Sequence, residues 1–428
     1  MRRTLRFWAF GLGFLLAACG GPGGGGNNGG GGSLDPSRFQ AILAAGTDFV
    51  LLVKPDGVYA WGDNRFGQLG VDPATLDHRT TPGKVAGVGG AVAVAAQFGV
   101  GENQRHALAL MADGRVMSWG VNPYGQLGRP QGDGDLSYQP PDYVVAEGGS
   151  EYLSSVEAVD AGHDFTLVLH IHTDQGRRVL GFGDNENNSG VLTQEDPWYY
   201  DPRPLLGPDG APLTGVRQVD AGNAHALLLL EDGTVWSTGY NGYGQRGLQG
   251  VSDRYAHPVP GLTGASQVSA GRDHSLVLKA DGSVWAFGSN AEGQLGQDPN
   301  ILPQTHEPQQ VPFPSGTRIR AVAAGGTHNL AVDEGGQVWA WGSNDHGQLG
   351  QGQAGNPSPT PVRVKGPGCN GFLGNALVVR AGYDYSLAIT QEGSGLALYA
   401  WGLNDRGQLG KGDTVDVPCP VKILTWTP

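Results

Sequence analysis

Seven copies of one ten-residue pattern constrain this chain more than any other feature of its sequence. A complete copy begins Trp-Gly-x-Asn and ends Gly-Gln-Leu-Gly, and the third and fourth copies depart from it. The copies start at Trp61, Trp119, Phe182, Thr238, Phe287, Trp341 and Trp401. These starts are 49 to 63 residues apart, a period typical of folds that repeat one supersecondary unit. The structure of the unit therefore decides the fold.

Each repeat has the pattern of four short strands. A second signature, Ala-Gly-x-x-His/aromatic-x-Leu, precedes each copy, and an Asp-Gly turn such as Asp281-Gly282 separates the two signatures in several repeats. Asp-Gly between alternating apolar residues is a strong hairpin signal, because the turn requires positive φ. A Pro-x-x-Val run such as Pro361–Val364 follows the copy. No helical periodicity occurs beyond the first 18 residues, so we predict an all-β chain with four strands per repeat.

Seven units of this kind predict a seven-bladed β-propeller with four-stranded antiparallel blades. A solenoid of stacked units is the alternative, but the absence of distinct capping repeats favours a closed ring. The chain has 74 glycines, most of them at fixed positions in the repeats, which indicates positive φ or close backbone approach rather than disorder. The asparagine of each copy is expected to support its own turn.

Both signatures and the Asp-Gly turn resemble the regulator of chromosome condensation repeat family, over residues 38 to 425. The resemblance implies the same seven-bladed propeller. It also implies that terminal strands close the ring by sharing a blade, for which Phe39–Leu43 and Val421–Leu424 are the candidates. It does not transfer the nucleotide exchange activity of the family's namesake, because a fold alone assigns no function.

The first residues have the pattern of a bacterial lipoprotein signal. Arg2, Arg3 and Arg6 precede an apolar run from Phe7 to Leu16, and Leu16-Ala17-Ala18-Cys19 resembles a lipobox. We expect a signal peptide at 1–18, lipidation of Cys19, a flexible Gly-rich linker to residue 33 and a propeller at 34–428; a simple signal peptide with an incidental cysteine is the alternative. The linker would reach about 20 Å from a membrane. Gly20 after the cysteine favours an outer membrane.

Charge and cysteine content bear on partners and compartment. The net charge is −13 and no cluster of Lys or Arg occurs, which argues against nucleic acid binding. In an oxidising compartment the remaining cysteines, Cys369 and Cys419, are expected to form a disulfide, with two separate buried thiols as the alternative. By closing the chain between these two cysteines, the disulfide would stabilise the last blade by about 2–4 kcal/mol.

No catalytic constellation or cofactor motif is present. His106, His225, His274 and His328 occupy equivalent repeat positions, so they are expected to be structural. His170-Ile171-His172 could bind a metal but lacks a third ligand, so no metal site and no cofactor are predicted.

Two insertions break the repetition, Arg129 to Ser155 and Leu192 to Leu213. They are rich in aromatic residues, and loops on a rigid scaffold often carry binding residues. The candidate binding residues are Tyr138, Tyr143, Trp198, Tyr199, Tyr200 and Arg203. The alternative is that these side chains cover the third blade, whose copy has lost Gln-Leu-Gly.

The sequence therefore favours a membrane-tethered, monomeric, non-enzymatic protein that presents propeller loops to an extracytoplasmic protein or glycan. A polysaccharide lyase or hydrolase that uses Glu102, Glu186 and Asp196 is the alternative. Guanine-nucleotide exchange is disfavoured, because it would require a cytoplasmic protein.

Overall fold

All strands of the described residues belong to seven four-stranded antiparallel sheets, each built from one continuous stretch of chain. The computed structural model describes residues 41–99, 105–130, 136–174, 176–185, 190–193, 198–250 and 253–428. The prediction of an all-β, seven-bladed propeller with four-stranded blades is confirmed. Within these ranges, no helix is long and apolar enough to cross a membrane.

The strands follow one another in chain order through the blades. Blade 1 contains β1 (Leu43–Ala45), β2 (Phe49–Lys54), β3 (Gly57–Asp63) and β4 (His78–Lys84); blade 2 contains β5 (Ala91–Ala96), β6 (His106–Met111), β7 (Val116–Gly120) and β8 (Gln139–Tyr143). Blade 3 contains β9 (Val156–Ala161), β10 (Phe165–His172), β11 (Gly176–Asp184) and β12 (Trp198–Pro204); blade 4 contains β13 (Val216–Ala221), β14 (His225–Leu230), β15 (Val235–Gly239) and β16 (His257–Pro258). Blade 5 contains β17 (Ala265–Ala270), β18 (His274–Lys279), β19 (Val284–Ser289) and β20 (Gln304–Gln310); blade 6 contains β21 (Ile319–Ala324), β22 (His328–Asp333), β23 (Val338–Asn344) and β24 (Gly355–Arg363). Blade 7 contains β25 (Ala376–Ala381), β26 (Tyr385–Glu392), β27 (Gly395–Gly402) and β28 (Val417–Trp426), and a 3₁₀ turn at Pro367–Cys369 precedes it.

The antiparallel order gives the propeller two different faces. The Ala-Gly loops and the ten-residue copies lie at the same ends of the strands, and we call this side the motif face. The Asp-Gly turns and the connections between blades lie on the other side, the turn face. Gly114 and Gly282 in those turns have φ of 80° and 83°, as Asp-Gly hairpins require.

Buried tryptophans hold adjacent blades together. The indole Nε1 of Trp119 on blade 2 donates to the carbonyl oxygen of Gln68 on blade 1, at 2.9 Å. Trp341 and Trp401 make the same bond to the preceding blade's Gln294 and Gln348, at 3.0 and 2.8 Å. All three tryptophans are buried. Each therefore satisfies a buried carbonyl that would otherwise be costly to leave without a donor.

The ring closes with the same bond. Trp61 on blade 1 donates to the carbonyl oxygen of Gln408 on blade 7, at 2.9 Å. The hydroxyl of Tyr385 on blade 7 donates to the carbonyl oxygens of Gly46 and Phe49 on blade 1. The shared blade expected from the sequence is wrong for the described residues, because β1 belongs to blade 1 and β28 to blade 7. Contacts between two complete blades close the ring, so no terminal strand has to be exchanged.

The repeat histidines form a second set of contacts between blades. Each imidazole Nε2 bonds to the polar side chain that follows the equivalent position on the next blade. The pairs are His106 with Thr166 (3.0 Å), His225 with Ser275 (2.9 Å), His274 with Asn329 (2.7 Å) and His328 with Ser386 (2.9 Å). Each partner also donates to the carbonyl oxygen of the preceding blade's copy, at Gln126, Gln245, Gln294 or Gln348.

The residue at the histidine position and its partner on the next blade change together from one seam to another. Blades 1 and 3 carry Phe49 and Phe165 in place of histidine, and the next blade then supplies Ala107 or Ala226 instead of a polar partner. A phenyl ring has no polar atom to satisfy, so a small apolar neighbour suffices. The prediction that the histidines are structural is thereby confirmed.

Arg246 explains the departure in the fourth copy, where it replaces leucine. Its guanidinium is buried and donates to the carbonyl oxygens of Tyr255 and Asp253, at 2.9 and 3.2 Å. The outer strand of blade 4 has only two residues, His257–Pro258. The arginine therefore supplies donors where other blades have a longer strand ladder.

We predict that exchanging one histidine contact for the phenylalanine type will be nearly neutral only when both partners change. His328→Phe alone and Ser386→Ala alone should each lower the free energy of unfolding, by about 1–3 kcal/mol, because each leaves a buried polar group without its partner. In the double variant Trp401 still satisfies the carbonyl of Gln348, as Trp119 does for Gln68, so at least half of the summed loss should be recovered. Denaturant unfolding of the four proteins measures the coupling, and strictly additive losses would contradict it.

Candidate functional site on the motif face

The six ten-residue copies whose residues are all described fold into a hydrogen-bonded turn whose apex lies on the motif face. In the first copy Asn64 Oδ1 accepts from the backbone N–H of Leu69 and Asn64 Nδ2 donates to Val71 and Leu76 carbonyls. Gln68 Oε1 accepts from the N–H of Phe66. The equivalent asparagine bonds occur at Asn122, Asn241, Asn290, Asn344 and Asn404, which confirms the predicted turn-supporting role at these six positions.

The two residues between the asparagine and the following glycine form the apex of this turn, and we call them the apex pair. The apex pairs are Arg65-Phe66, Pro123-Tyr124, Gly242-Tyr243, Ala291-Glu292, Asp345-His346 and Asp405-Arg406. The third copy's pair lies outside the described residues. Aromatic side chains therefore lie on blades 1, 2 and 4, and charged ones on blade 1 and on blades 5 to 7. The apex pair differs on every blade while the rest of the turn is repeated.

The Ala-Gly loops surround the mouth of the central channel inside the ring of apex pairs. A backbone hydrogen bond joins one loop to the next at most seams, for example from Asn223 N–H to the Gly271 carbonyl and from Gly326 N–H to the Tyr383 carbonyl. Gly326 has no room for a side chain, since a Cβ there would lie 2.4 Å from the Tyr383 carbonyl oxygen. This contact explains the glycine pair of the sixth repeat.

Unrepeated residues cover the mouth. Arg272 on blade 5 donates to the hydroxyl of Tyr383 on blade 7 at 2.7 Å, above blade 6. The ring of Phe98, from the irregular stretch of the second repeat, lies 6.3 Å from the ring of Tyr383. Gly99 contacts His163 on blade 3 and bonds to Thr47 on blade 1. One loop of blade 2 thus contacts blades 1, 3 and 7.

A buried charge pair anchors the far end of this loop. Arg105 donates to Asp48 Oδ2 at 3.0 Å and to Gln97 Oε1 at 3.1 Å. Burial raises the pKa of Asp48, and Arg105 opposes the rise. Asp48 Oδ1 and Asp164 Oδ1, both buried, have no hydrogen-bond partner among the described residues.

Two carboxyls and an arginine lie deeper in the channel. Asp160 and Asp220 accept the backbone N–H of Ala221 and Ala270 on the next blade, both at 2.6 Å. Burial raises the pKa of Asp160 to about 6, and burial together with the neighbouring Asp160 carboxylate raises the pKa of Asp220 well above its ordinary value. Arg380, which donates to the Leu43 carbonyl, opposes both shifts. These groups hold inner strands together across the seams.

The repeat histidines are neutral members of the framework. Burial lowers the pKa of His225 to about 3, of His274 to about 4 and of His328 to about 3. Among the residues with described positions, no group of three or more His, Cys, Asp or Glu could hold a metal ion.

Tyr138 and Tyr199, predicted as binding residues, pack between blades. A Cβ on Gly67 would lie 2.0 Å from the Tyr138 ring, and one on Gly125 would lie 2.6 Å from the Tyr199 carbonyl oxygen. Glycine is required there because the outer strand of one blade crosses the copy of the preceding blade. Tyr199 is also buried in the core. Both insertions therefore contain the fourth strand of their blade, β8 or β12, and are not loops throughout.

The structure does not bring the other predicted binding residues to one place. Trp198 is 39% exposed at the motif-face end of β12, and Tyr200 follows it, half-buried. Arg203 lies toward the turn face, where it contacts Asp201 and Glu147. Tyr143 also lies there, against Tyr152 and beneath Arg115.

Of the other residues singled out in the sequence, the two candidate disulfide cysteines are described in the structure and the remaining four are not. Cys369 and Cys419 are joined by a disulfide that links the connection before blade 7 to its outer strand. Cys19, Glu102, Glu186 and Asp196 lie outside the described residues.

Family models match this repeated architecture. One described as the RCC1-like domain matches residues 98–427, and one described as the regulator of chromosome condensation (RCC1) repeat matches residues 56–110. The chain belongs to the RCC1-like repeat family.

Its RCC1-like relatives have different functions. The Arabidopsis thaliana ultraviolet-B receptor UVR8 is 28% identical over 391 residues, which cover 91% of this chain and 70% of the receptor. The human probable E3 ubiquitin-protein ligase HERC6 is 34% identical over 348 residues, 81% of this chain but 26% of the ligase. Its human relative HERC3 is 43% identical over 212 residues, 49% of this chain and 19% of that protein. This chain thus spans about a quarter or less of the two ligases.

Solved RCC1-like structures share the fold. Prp20p of Saccharomyces cerevisiae superposes with a TM-score of 0.71 at 22% identity, covering 87% of each chain. Human WBSCR16 superposes with a TM-score of 0.68 at 22% identity, covering 82% of this chain and 87% of that one.

We predict opposite effects of the buried histidines and channel carboxyls on acid stability. The folded-state pKa of His328 lies below its ordinary 6.5, so the unfolded chain binds the proton first and stability falls as pH drops from 6.5 toward 3. The folded-state pKa of Asp160 lies above its ordinary 3.8, so its contribution is present at low pH and is lost as pH rises through about 6.

Thermal unfolding at pH 7 and pH 5 tests both signs. The His328→Phe/Ser386→Ala variant should lose about 2 kcal/mol less stability than the wild type on acidification. Asp160→Asn should lose more than the wild type, because its opposing contribution is gone. Equal losses in all three proteins would contradict the assignment.

Proposed function

We propose that this protein is a lipid-anchored, non-enzymatic binding protein of a bacterial cell envelope that presents its motif face to an extracytoplasmic partner. The observation that carries the proposal is the display of unrepeated side chains on rigid, repeated turns. The asparagine, glutamine and histidine positions form hydrogen bonds within and between blades, whereas the residue types of the apex pairs differ from blade to blade.

Exposed apolar side chains support a binding role for the motif face. Tyr243 is 42% exposed at the apex on blade 4, and Trp198 is 39% exposed on blade 3. Tyrosine and tryptophan contribute much of the energy of protein interfaces. The fixed backbone beneath them lowers the entropy that binding would cost.

The disulfide and the first 33 residues support the location. A disulfide persists in an oxidising compartment, outside the cytoplasm in most bacteria. The basic start, apolar run and Leu16-Ala17-Ala18-Cys19 form an export and lipidation signal, and the Gly-rich stretch that follows would tether the propeller. A diacylglycerol attached to one cysteine carries two acyl chains, and two chains suffice for stable membrane anchoring.

We predict that Cys19→Ala will abolish membrane attachment. Without the thiol no diacylglycerol can be attached, so the protein should move from the membrane pellet to the soluble fraction and incorporate no labelled fatty acid. Cys369→Ser/Cys419→Ser serves as the control and should remain in the pellet. A Cys19→Ala protein that still sediments with membrane would overturn the anchor.

A second prediction concerns the binding face. Trp198→Ala/Tyr243→Ala should lose envelope proteins that the wild type captures in quantitative pull-downs, because both side chains are exposed on the motif face. Tyr152→Ala/Phe372→Ala is the matched control, since these residues are 55% and 56% exposed on the turn face. Loss with the control pair but not with the motif-face pair would transfer the proposal to the other face, and equal capture by all three proteins would end it.

A further inference from the structure

Three carboxylates on the charged half of the motif face have no ion pair among the described residues. Glu292, Asp345 and Asp384 lie on blades 5, 6 and 7. No Lys, Arg or His nitrogen of the described residues lies within 4.0 Å of their carboxylate oxygens, because the neighbouring cations are engaged elsewhere. Arg272 binds Asp273, His346 binds Asp416 and Arg406 lies closest to Asp405.

Asp345 acts electrostatically on both of the other carboxylates. Burial raises the pKa of Asp384, His346 and Arg272 oppose the rise, and Asp345 and Asp405 add to it. Burial also raises the pKa of Glu292, Asp345 adds to that rise and Arg272 opposes it. Asp345 therefore repels each of its two neighbours, although none of the three carboxylates has an ion pair.

Several carboxylates of the turn face are ion-paired. Asp113 pairs with Arg115, Glu334 with Arg318 and Glu392 with Lys422, at distances of 2.6 to 2.9 Å. Glu292, Asp345 and Asp384 differ from these in that three carboxylates without an ion pair lie on adjacent blades of one face.

Exposed apolar side chains flank these carboxylates on the same face. Ile301 is 82% exposed and Val415 65% exposed, in the loops that follow the copies of blades 5 and 7. Tyr243 lies on the adjoining blade 4. A patch of apolar groups with charge complementary to a partner is typical of a protein interface.

We propose that the motif face of blades 4 to 7 binds a basic protein surface. Glu292, Asp345 and Asp384 receive its lysine and arginine side chains, and Tyr243, Ile301 and Val415 contact apolar groups beside them. This inference rests on the proposed binding function and adds the chemistry of the partner. A neutral glycan would gain nothing from the three carboxylates, and nucleic acid would be repelled by them.

The test compares two triple variants with the same change in net charge. Glu292→Gln/Asp345→Asn/Asp384→Asn removes the charges on the motif face. Asp113→Asn/Asp232→Asn/Asp281→Asn removes three exposed charges at the Asp-Gly turns, where each aspartate accepts a backbone N–H that asparagine can also accept. Unfolding temperatures confirm that both variants remain folded.

The probe is a fluorescein-labelled peptide of lysine and leucine, titrated into the full-length protein at low and at physiological salt, with a glutamate–leucine peptide as its counterpart. The wild type and the turn-face triple should bind the basic peptide alike, and the motif-face triple about tenfold or more weakly. Added salt should weaken the wild type most. Absence of wild-type binding, or equal weakening by both triples, would overturn the inference.

Envelope pull-downs separate this inference from the proposed function. If Trp198→Ala/Tyr243→Ala loses captured proteins while the motif-face triple retains them all, the binding function stands and the basic partner is wrong. If every variant captures the same envelope proteins as the wild type, the proposed function fails.

Discussion

A buried backbone carbonyl at each seam is the constraint on which the described ring depends. The carbonyl of the copy's glutamine, or its equivalent, turns toward the next blade, and burial makes it costly unless a donor reaches it. Tryptophan indole, threonine, serine and asparagine donors meet this need at different seams. In the third copy, which lacks Gln-Leu-Gly, Thr238 donates to the carbonyl of Val191. The seam therefore tolerates changes of residue type as long as a donor remains.

This constraint separates framework from surface. The side chains that satisfy the seams and turns are buried and recur from blade to blade, so they are not available for binding. The apex pairs and the residues at the channel mouth escape the constraint, because their side chains do not supply the donors that the seam carbonyls require. An aromatic apex on one blade and an acidic apex on another thus leave the ring unchanged. The RCC1-like relatives, which include a photoreceptor and a probable ubiquitin ligase, are consistent with such a separation.

The sequence predicted the blades well, because the features that build them are local and repeated. Asp-Gly turns, Pro-x-x-Val runs and the asparagine of each copy act within one blade, and their roles could be inferred from spacing. Ring closure was predicted wrongly, since it depends on contacts such as Trp61 with Gln408, 347 residues apart. The exposure of the aromatic residues in the insertions was harder to infer, because β8 and β12 run through the insertions and the pairing of these strands decides which side chains are buried.

The candidate site was only partly predictable for the same reason. The residue types alone do not distinguish exposed Trp198 from buried Tyr199. Successive side chains of β12 point to opposite faces of the sheet, so their exposure depends on the register of that strand. The cover of the channel mouth combines Phe98, Arg272 and Tyr383 from three different blades. Signals did exist: the irregular second repeat, the glycine pair Gly325-Gly326, and charged residues before Ala-Gly at Asp160, Asp220 and Arg380.

The assignment of each described blade to one uninterrupted segment has a topological consequence. Since no strand is lent from one end of the chain to complete the blade at the other, the seam between blades 7 and 1 has no privileged status. New termini placed in any turn-face connection between blades, with the old ends joined, would preserve every strand pairing within the blades. The described fold is in this sense circularly permutable at each of its six connections between blades.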